Sequence, residues 1–118
     1  HYFELNSLIN GIEKLRIIDP TGYLDFLALL ESCSLVLTDS GGIQEESCIL
    51  RIPCVTLRES TERPETIQVG SNTVAGTKPK TILKKVETML DVKRSWKNPF
   101  GENVSRKIVD IIERELAL

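Results

Sequence analysis

The sequence predicts an α/β domain in which a parallel sheet carries helices on both of its faces. Short apolar runs typical of buried strands alternate with longer helix-like segments, and this alternation is typical of βαβ units. The length of 118 residues suits one domain. With 41% hydrophobic and 27% charged residues, the composition is that of a folded globular chain rather than a disordered one.

The first half of the chain predicts two strands and two helices. An apolar run predicts a strand over Leu15–Asp19, and Asp19-Pro20 is a typical helix start, with a capping side chain before proline. The helix over Thr21–Ser32 is apolar almost all round, so we expect it to be largely buried. The run Ser34–Thr38 predicts a strand buried on both faces, followed by a turn and a helix over Gly42–Arg51.

The second half continues the alternation and ends in two amphipathic helices whose apolar residues recur at helical spacing. The predicted elements are, in order, strand Pro53–Leu57, charged loop Arg58–Pro64, short helix Glu65–Val69, strand Asn72–Ala75, helix Thr77–Asp91, connector Lys93–Gly101 and helix Val104–Leu118. We expect right-handed connections between the parallel strands. The patterns leave the strand order open.

Charge and hydropathy exclude two kinds of partner. With 17 acidic and 15 basic residues the net charge is −2, which argues against nucleic acid. The longest apolar runs, such as Leu27–Leu30, are far too short to cross a membrane. No signal peptide is visible in the first ten residues, so we expect a cytoplasmic protein.

The cysteine and histidine content argues against metal and nucleophilic sites. The chain has three cysteines, an odd number, with no CxxC spacing, so we expect buried free thiols in a reducing cytosol. The single histidine is His1, at the chain end. A Cys/His zinc site or a Ser-His-Asp triad therefore lacks its histidine.

The segment most informative about function is the turn Ser40-Gly41-Gly42, which follows a predicted buried strand and opens a helix. Adjacent glycines allow close backbone approach to a ligand and backbone angles that other residues avoid. Unpaired amides at the helix start, the helix dipole and the Ser40 hydroxyl together predict a phosphate site without lysine. The alternative is a tight strand-to-helix turn with no ligand.

Three further side chains are candidates for the same edge of the sheet. Glu46 lies one helical turn after Gly42, where its carboxylate suits a ribose diol; otherwise it complements the helix dipole. Arg63 follows the third strand and suits a phosphate; otherwise it pairs with Glu59, Glu62 or Glu65 at the surface. Phe26, which lies with Tyr23 after Asp19-Pro20-Thr21, is an aromatic that could stack on a base; otherwise Phe26 belongs to the core.

These motifs, in this order, resemble the non-hydrolysing UDP-N-acetylglucosamine 2-epimerases. The resemblance covers nearly the whole chain from about Leu15, and it is carried by the segments Asp19–Phe26, Asp39–Glu46, Pro53–Arg58, Thr61–Glu65 and Asn98–Gly101. It implies a Rossmann-like fold that forms one half of a GT-B-type two-domain architecture. Residues 1–118 would then be the C-terminal UDP-binding domain, and the N-terminal catalytic domain would not be in this chain.

The resemblance also implies residue roles and partners. Ser40, Gly41 and Gly42 would hold the diphosphate, with Arg63 nearby. Glu46 would bind the ribose hydroxyls, and Phe26 with the Thr21 backbone would bind uracil. No catalytic residue, metal ion or organic cofactor is implied here. The implied partners are UDP-GlcNAc or UDP, the missing N-terminal domain and, at full length, a second copy in a homodimer.

The implied reaction interconverts UDP-GlcNAc and UDP-ManNAc, by elimination and re-addition of UDP, in polysaccharide biosynthesis. We expect this chain alone to be inactive, because the acid/base residues of the family lie earlier in the sequence. Three alternatives stay open. They are a UDP-sugar glycosyltransferase domain of GT-B type, the hydrolysing epimerase branch, and a nucleotide-binding or dimerisation module without catalysis.

Overall fold

The computed structural model describes residue 8 and residues 11–117, and within them a parallel sheet is flanked by helices. The elements are α1 (Tyr23–Ser32), β1 (Val36–Thr38), α2 (Gly41–Ile49), β2 (Cys54–Thr56), α3 (Pro64–Gln68), β3 (Asn72–Val74), α4 (Pro79–Leu90) and α5 (Val104–Leu116). The predicted α/β class is confirmed. The predicted helix end at Leu118 and the segment inspected for a signal peptide, apart from Leu8, lie outside the described residues.

The three strands run parallel in the order β1-β2-β3, so the order in space follows the order in the chain. Val36 pairs with Cys54, and Cys54 pairs in turn with Asn72. Parallel pairing brings the carboxyl ends of all three strands to one edge of the sheet. The turn after Thr38 and the loop after Thr56 therefore start side by side, as the sequence predicts.

The two faces of the sheet are packed differently, because side chains alternate along each strand. On one face, Val55 packs with Ala75 and Met89 in an apolar core below α4. On the other face, Thr56 donates a hydrogen bond to Asn72, beneath α2 and α3. The prediction of helices on both faces is thus confirmed, with one apolar and one polar layer.

The predicted strand Leu15–Asp19 is wrong. These residues form no regular structure, and the side chains of Ile17 and Ile18 are 49% and 62% exposed. A strand requires a partner in a hydrogen-bonded ladder, and in the described part of the chain β1 pairs with β2 alone. An apolar run without such a partner does not form a strand.

The predicted start and burial of the first helix are also wrong. The helix begins at Tyr23 after an N-cap at Gly22, not after Asp19-Pro20. Leu30 is its one buried residue, while Leu24 is 79% exposed. The helix precedes the edge strand β1, whose own Leu37 is 43% exposed rather than buried on both faces. Most apolar side chains of α1, and Leu37 of the edge strand β1, are therefore left exposed.

The C-terminal segment is attached to the domain by its connector. Trp96 is buried, and its indole Nε1 donates a hydrogen bond of 2.9 Å to the Cys48 carbonyl near the end of α2. The helix α5 carries the predicted apolar stripe, but residues such as Ile108 and Ile111 are half exposed. Among the described residues, no helix has both the length and the apolar character needed to cross a membrane.

Candidate functional site

The start of α2 is an ordered turn with free amide donors. Ser40 is the N-cap, and its Oγ accepts a hydrogen bond of 3.4 Å from the Ile43 N–H. The Ser40 N–H donates to Thr38 Oγ1 at 3.1 Å, which fixes the turn on the strand side. The N–H groups of Gly41 and Gly42 lie in the first helical turn, where no acceptor exists within the helix. These amides and the positive end of the helix dipole suit an anion.

Gly41 brings the Arg63 guanidinium close to the backbone of the first turn of α2. Neither Gly41 nor Gly42 has a positive φ, so the expectation that this turn requires unusual backbone angles is wrong. A Cβ added at Gly41 would instead lie 3.4 Å from Cζ and Nη2 of Arg63. Arg63 therefore lies directly against the first turn of α2, and the structure brings it together with the Ser40–Gly42 turn.

Arg63 is oriented by two carboxylates. Its Nε donates to Glu45 on α2, and Nη1 lies 4.0 Å from the Glu62 carboxylate. Of the three acids considered from sequence, Glu62 is a partner, while Glu45 was not foreseen. Its position four residues after Gly41 places it on the same side of α2, and that spacing was the available signal. The guanidinium thus lies between Glu45 and the glycine turn, with its side chain 31% exposed.

Glu46 contacts α1 through Tyr23. The Tyr23 hydroxyl donates a hydrogen bond of 2.9 Å to Glu46 Oε1. This hydrogen bond and the negative charge of Glu46 raise the pKa of Tyr23 above its usual value. The second carboxylate oxygen of Glu46 is left for other donors. The sequence offers Tyr23 beside Phe26 as an aromatic that could stack on a base, but it does not predict the hydrogen bond to Glu46.

Phe26 and Thr21 line the same cavity, which has a volume of about 360 Å³. Its walls also include Pro20, Leu29 and Val36, and they are largely apolar. Phe26 is half-buried, so its ring is a wall of the cavity and not only a part of the core. The structure therefore groups the two residues predicted for a base, while Ser40, Gly41, Gly42 and Arg63 are not among the residues that line this cavity.

The cysteines fit the expectation of free thiols. Cys48 and Cys54 are buried and Cys33 is half-buried, and none forms a disulfide. Burial raises the pKa of Cys54 to about 11, so this thiol is protonated at neutral pH. In the described part of the chain, no three Asp, Glu, His or Cys side chains are grouped as a metal site would require.

Comparison with known proteins gives consistent matches. A model of the family UDP-N-acetylglucosamine 2-epimerase matches residues 3–113. The UDP-N-acetylglucosamine 2-epimerase of Methanococcus maripaludis is 56% identical over 106 residues, which are 87% of this chain and 29% of that protein. The enzyme of Methanocaldococcus jannaschii is 51% identical over 111 residues, which are 93% of this chain and 30% of that protein.

A solved structure of the M. jannaschii UDP-GlcNAc 2-epimerase in complex with UDP-GlcNAc and UDP has a TM-score of 0.87 and 50% identity to this chain. It covers 96% of this chain, while the match covers 32% of that one. This chain thus spans about 30% of the length of the curated relatives it matches. Because the family match extends over nearly all 118 residues and the parallel sheet agrees with that of a solved member, the chain belongs to the UDP-N-acetylglucosamine 2-epimerase family.

Proposed function

We propose that this chain is the C-terminal UDP-binding domain of a non-hydrolysing UDP-GlcNAc 2-epimerase. The observation that carries the proposal is the position of Arg63 against the first turn of α2. The guanidinium lies next to the turn whose first two helical amides have no acceptor within the helix. That combination of a cation and helix-start amides is what a diphosphate requires.

In this proposal each predicted site residue binds a particular part of the nucleotide. Ser40, Gly41, Gly42 and Arg63 bind the diphosphate, and Glu46 accepts hydrogen bonds from the ribose hydroxyls. The apolar cavity beside Phe26 and the Thr21 backbone receives uracil. The hydrogen bond from Tyr23 to Glu46 supports this assignment, because it links the carboxylate to α1, the helix that carries Phe26.

The proposed reaction interconverts UDP-GlcNAc and UDP-ManNAc. A base removes the proton at C2 while the bond from C1 to the UDP oxygen breaks, which gives a 2-acetamidoglucal and UDP. Re-addition of UDP at C1 and return of a proton to the opposite face of C2 complete the epimerisation. This chain stabilises the negative charge that develops on the leaving diphosphate.

The proton-transfer residues belong, in this proposal, to an N-terminal domain of the longer protein. The match to about 30% of the relatives' length supports this division. We propose that the longer protein acts as a cytoplasmic homodimer in polysaccharide biosynthesis. The 118-residue chain should therefore bind UDP without converting UDP-GlcNAc, and turnover by the purified chain would contradict this division of labour.

Calorimetric titration with UDP tests the binding site directly. Arg63→Ala should weaken UDP binding by about tenfold to a hundredfold, since one charge-assisted hydrogen bond contributes about 1.5–3 kcal/mol. Arg58→Ala is the matched control, because Arg58 lies in the same loop and pairs with Glu62 at 3.8 Å. Equal losses in the two variants would mean that only overall charge matters and would refute the assigned site.

A further inference from the structure

The polar layer beneath α2 and α3 leads to Arg63. Gln44, Asn72 and Thr66 are each at most 3% exposed, yet all three have polar side chains. We propose that Gln44 and Asn72 are positioning residues that fix the backbone of Arg63, and thereby place its guanidinium at the diphosphate. The inference rests on the proposed function, because it needs Arg63 to bind the diphosphate.

One chain of hydrogen bonds ends on the Arg63 N–H. Asn72 Nδ2 donates to Gln44 Oε1 at 3.1 Å, and the Thr61 hydroxyl donates to the same oxygen. Thr61 Oγ1 then accepts a hydrogen bond of 3.0 Å from the backbone N–H of Arg63. A hydroxyl has a single proton. Because the Thr61 hydroxyl donates its one hydrogen to Gln44, its oxygen acts as the acceptor for the Arg63 N–H.

A second chain of hydrogen bonds ends on the Arg63 carbonyl. Asn72 Nδ2 also donates to Thr66 Oγ1 at 3.1 Å, and the Thr66 hydroxyl donates to the Arg63 carbonyl at 2.7 Å. The amide of Asn72 thus starts both chains. The Asn72 Oδ1 accepts a hydrogen bond of 2.8 Å from the Thr56 hydroxyl. This bond fixes the orientation of the side-chain amide, so that Nδ2 faces Gln44 and Thr66.

Arg63 needs such support, because the backbone bonds of α3 hold it through its carbonyl, which accepts a hydrogen bond of 3.1 Å from the Thr66 N–H, and leave its own N–H to Thr61. It is the N-cap of α3, with φ −122° and ψ 63°, and its side chain makes no capping hydrogen bond. A shift of its backbone would move the guanidinium away from Gly41, against which it packs. A buried polar network is costly unless fully satisfied, and within the described residues no buried side-chain nitrogen or oxygen lacks a partner. Such a network favours one geometry over many.

The test is UDP titration of the 118-residue chain in single and double variants. Thr61→Val removes the relaying hydroxyl with little change of shape, and Gln44→Met removes the acceptor while keeping the length of the side chain. Each should weaken UDP binding about fivefold, the effect of one neutral hydrogen bond. Thr61→Ser, which keeps the hydroxyl, should bind within about twofold of the parent. Thr61 is half-buried in a loop, so its variants are expected to fold even if Gln44→Met does not.

The double variants separate positioning from general stability. If Thr61 and Gln44 act through Arg63, neither substitution should weaken binding further in an Arg63→Ala background. Ser47→Ala is the control, because its buried hydroxyl bonds the Gln44 carbonyl without reaching Arg63. Unchanged UDP binding in Thr61→Val, or an equal loss with and without Arg63, overturns this inference alone. Unchanged binding in Arg63→Ala overturns the proposed site and this inference with it.

Discussion

The substitution Gly41→Ala should weaken UDP binding while leaving the fold intact. The added Cβ would lie 3.4 Å from Cζ and Nη2 of Arg63 and 3.7 Å from Nη1. Those distances are close to van der Waals contact, so the methyl group fits without the ligand. It nevertheless occupies the surface between the guanidinium and the helix amides. A phosphate could then not reach both donors at once.

The expected magnitudes follow from this geometry. Losing one charge-assisted hydrogen bond of about 1.5 kcal/mol corresponds to an affinity about tenfold weaker. The position has no positive φ, so alanine introduces no backbone strain. Replacing glycine by alanine at a position with compatible backbone angles restricts the unfolded chain and stabilises a protein by about 0.4–1 kcal/mol, so the variant should melt at the same temperature or a few degrees higher.

The assay is isothermal titration with UDP and with uridine, together with thermal unfolding followed by circular dichroism. UDP binding should weaken, and uridine binding should match the parent, because uridine has no phosphates to place against α2. UDP binding equal to that of the parent would refute the argument that Gly41 is needed for close approach. A large drop in melting temperature would show that the methyl group does not fit, which would refute the packing argument.

Three further predictions follow from described contacts. The hydrogen bond from Tyr23 to Glu46 needs a protonated tyrosine, and the pKa of Tyr23 is raised. The contribution of this hydrogen bond to stability should therefore be complete below about pH 10 and be lost as the pH rises further. Unfolding measured as a function of pH should show this loss in the parent and not in Tyr23→Phe. At pH 8 a thiol reagent should modify the half-buried Cys33 quickly. Cys54 is buried and has a pKa of about 11, so it should react only after unfolding in denaturant. Equal reaction rates for the two thiols in the folded protein would contradict the burial of Cys54. Trp96→Phe removes the indole donor to the Cys48 carbonyl, which keeps its hydrogen bond from the Arg51 N–H. The substitution should lower the free energy of unfolding by about 0.5–1.5 kcal/mol in urea titrations monitored by circular dichroism, whereas an unchanged midpoint would mean that the contact contributes nothing.

The neighbourhood of Arg63 and the glycine turn could be predicted from the sequence. Each follows a strand of a parallel sheet, and the carboxyl ends of such strands meet at one edge. The spacing of Glu45 after Gly41 makes Glu45 a candidate partner of Arg63, but it does not select Glu45 among the several carboxylates within reach of a long side chain. The hydrogen bonds of Asn72 were equally inaccessible, since they depend on the register of β2 and β3, and no local pattern encodes that register.

The errors at the start of the chain have a common physical cause. Apolar periodicity indicates which residues avoid water, but it does not say which surface covers them. The run Leu15–Asp19 and the helix α1 both satisfy the pattern, yet in the described residues neither is enclosed by the sheet. The segments Pro53–Leu57 and Thr77–Asp91 satisfy the same pattern and do pack against each other, so their predictions are confirmed.

The indole of Trp96 gives this chain a built-in optical probe. It is the one tryptophan in the sequence, and it is bonded near the C-terminal end of α2, the helix whose opposite end carries the glycine turn. That helix has nine residues and is about 13 Å long, so a tilt of this short rigid element on anion binding would also move its other end. Nucleotide occupancy should therefore be readable as a change in intrinsic fluorescence, without any label attached to the protein or to the ligand.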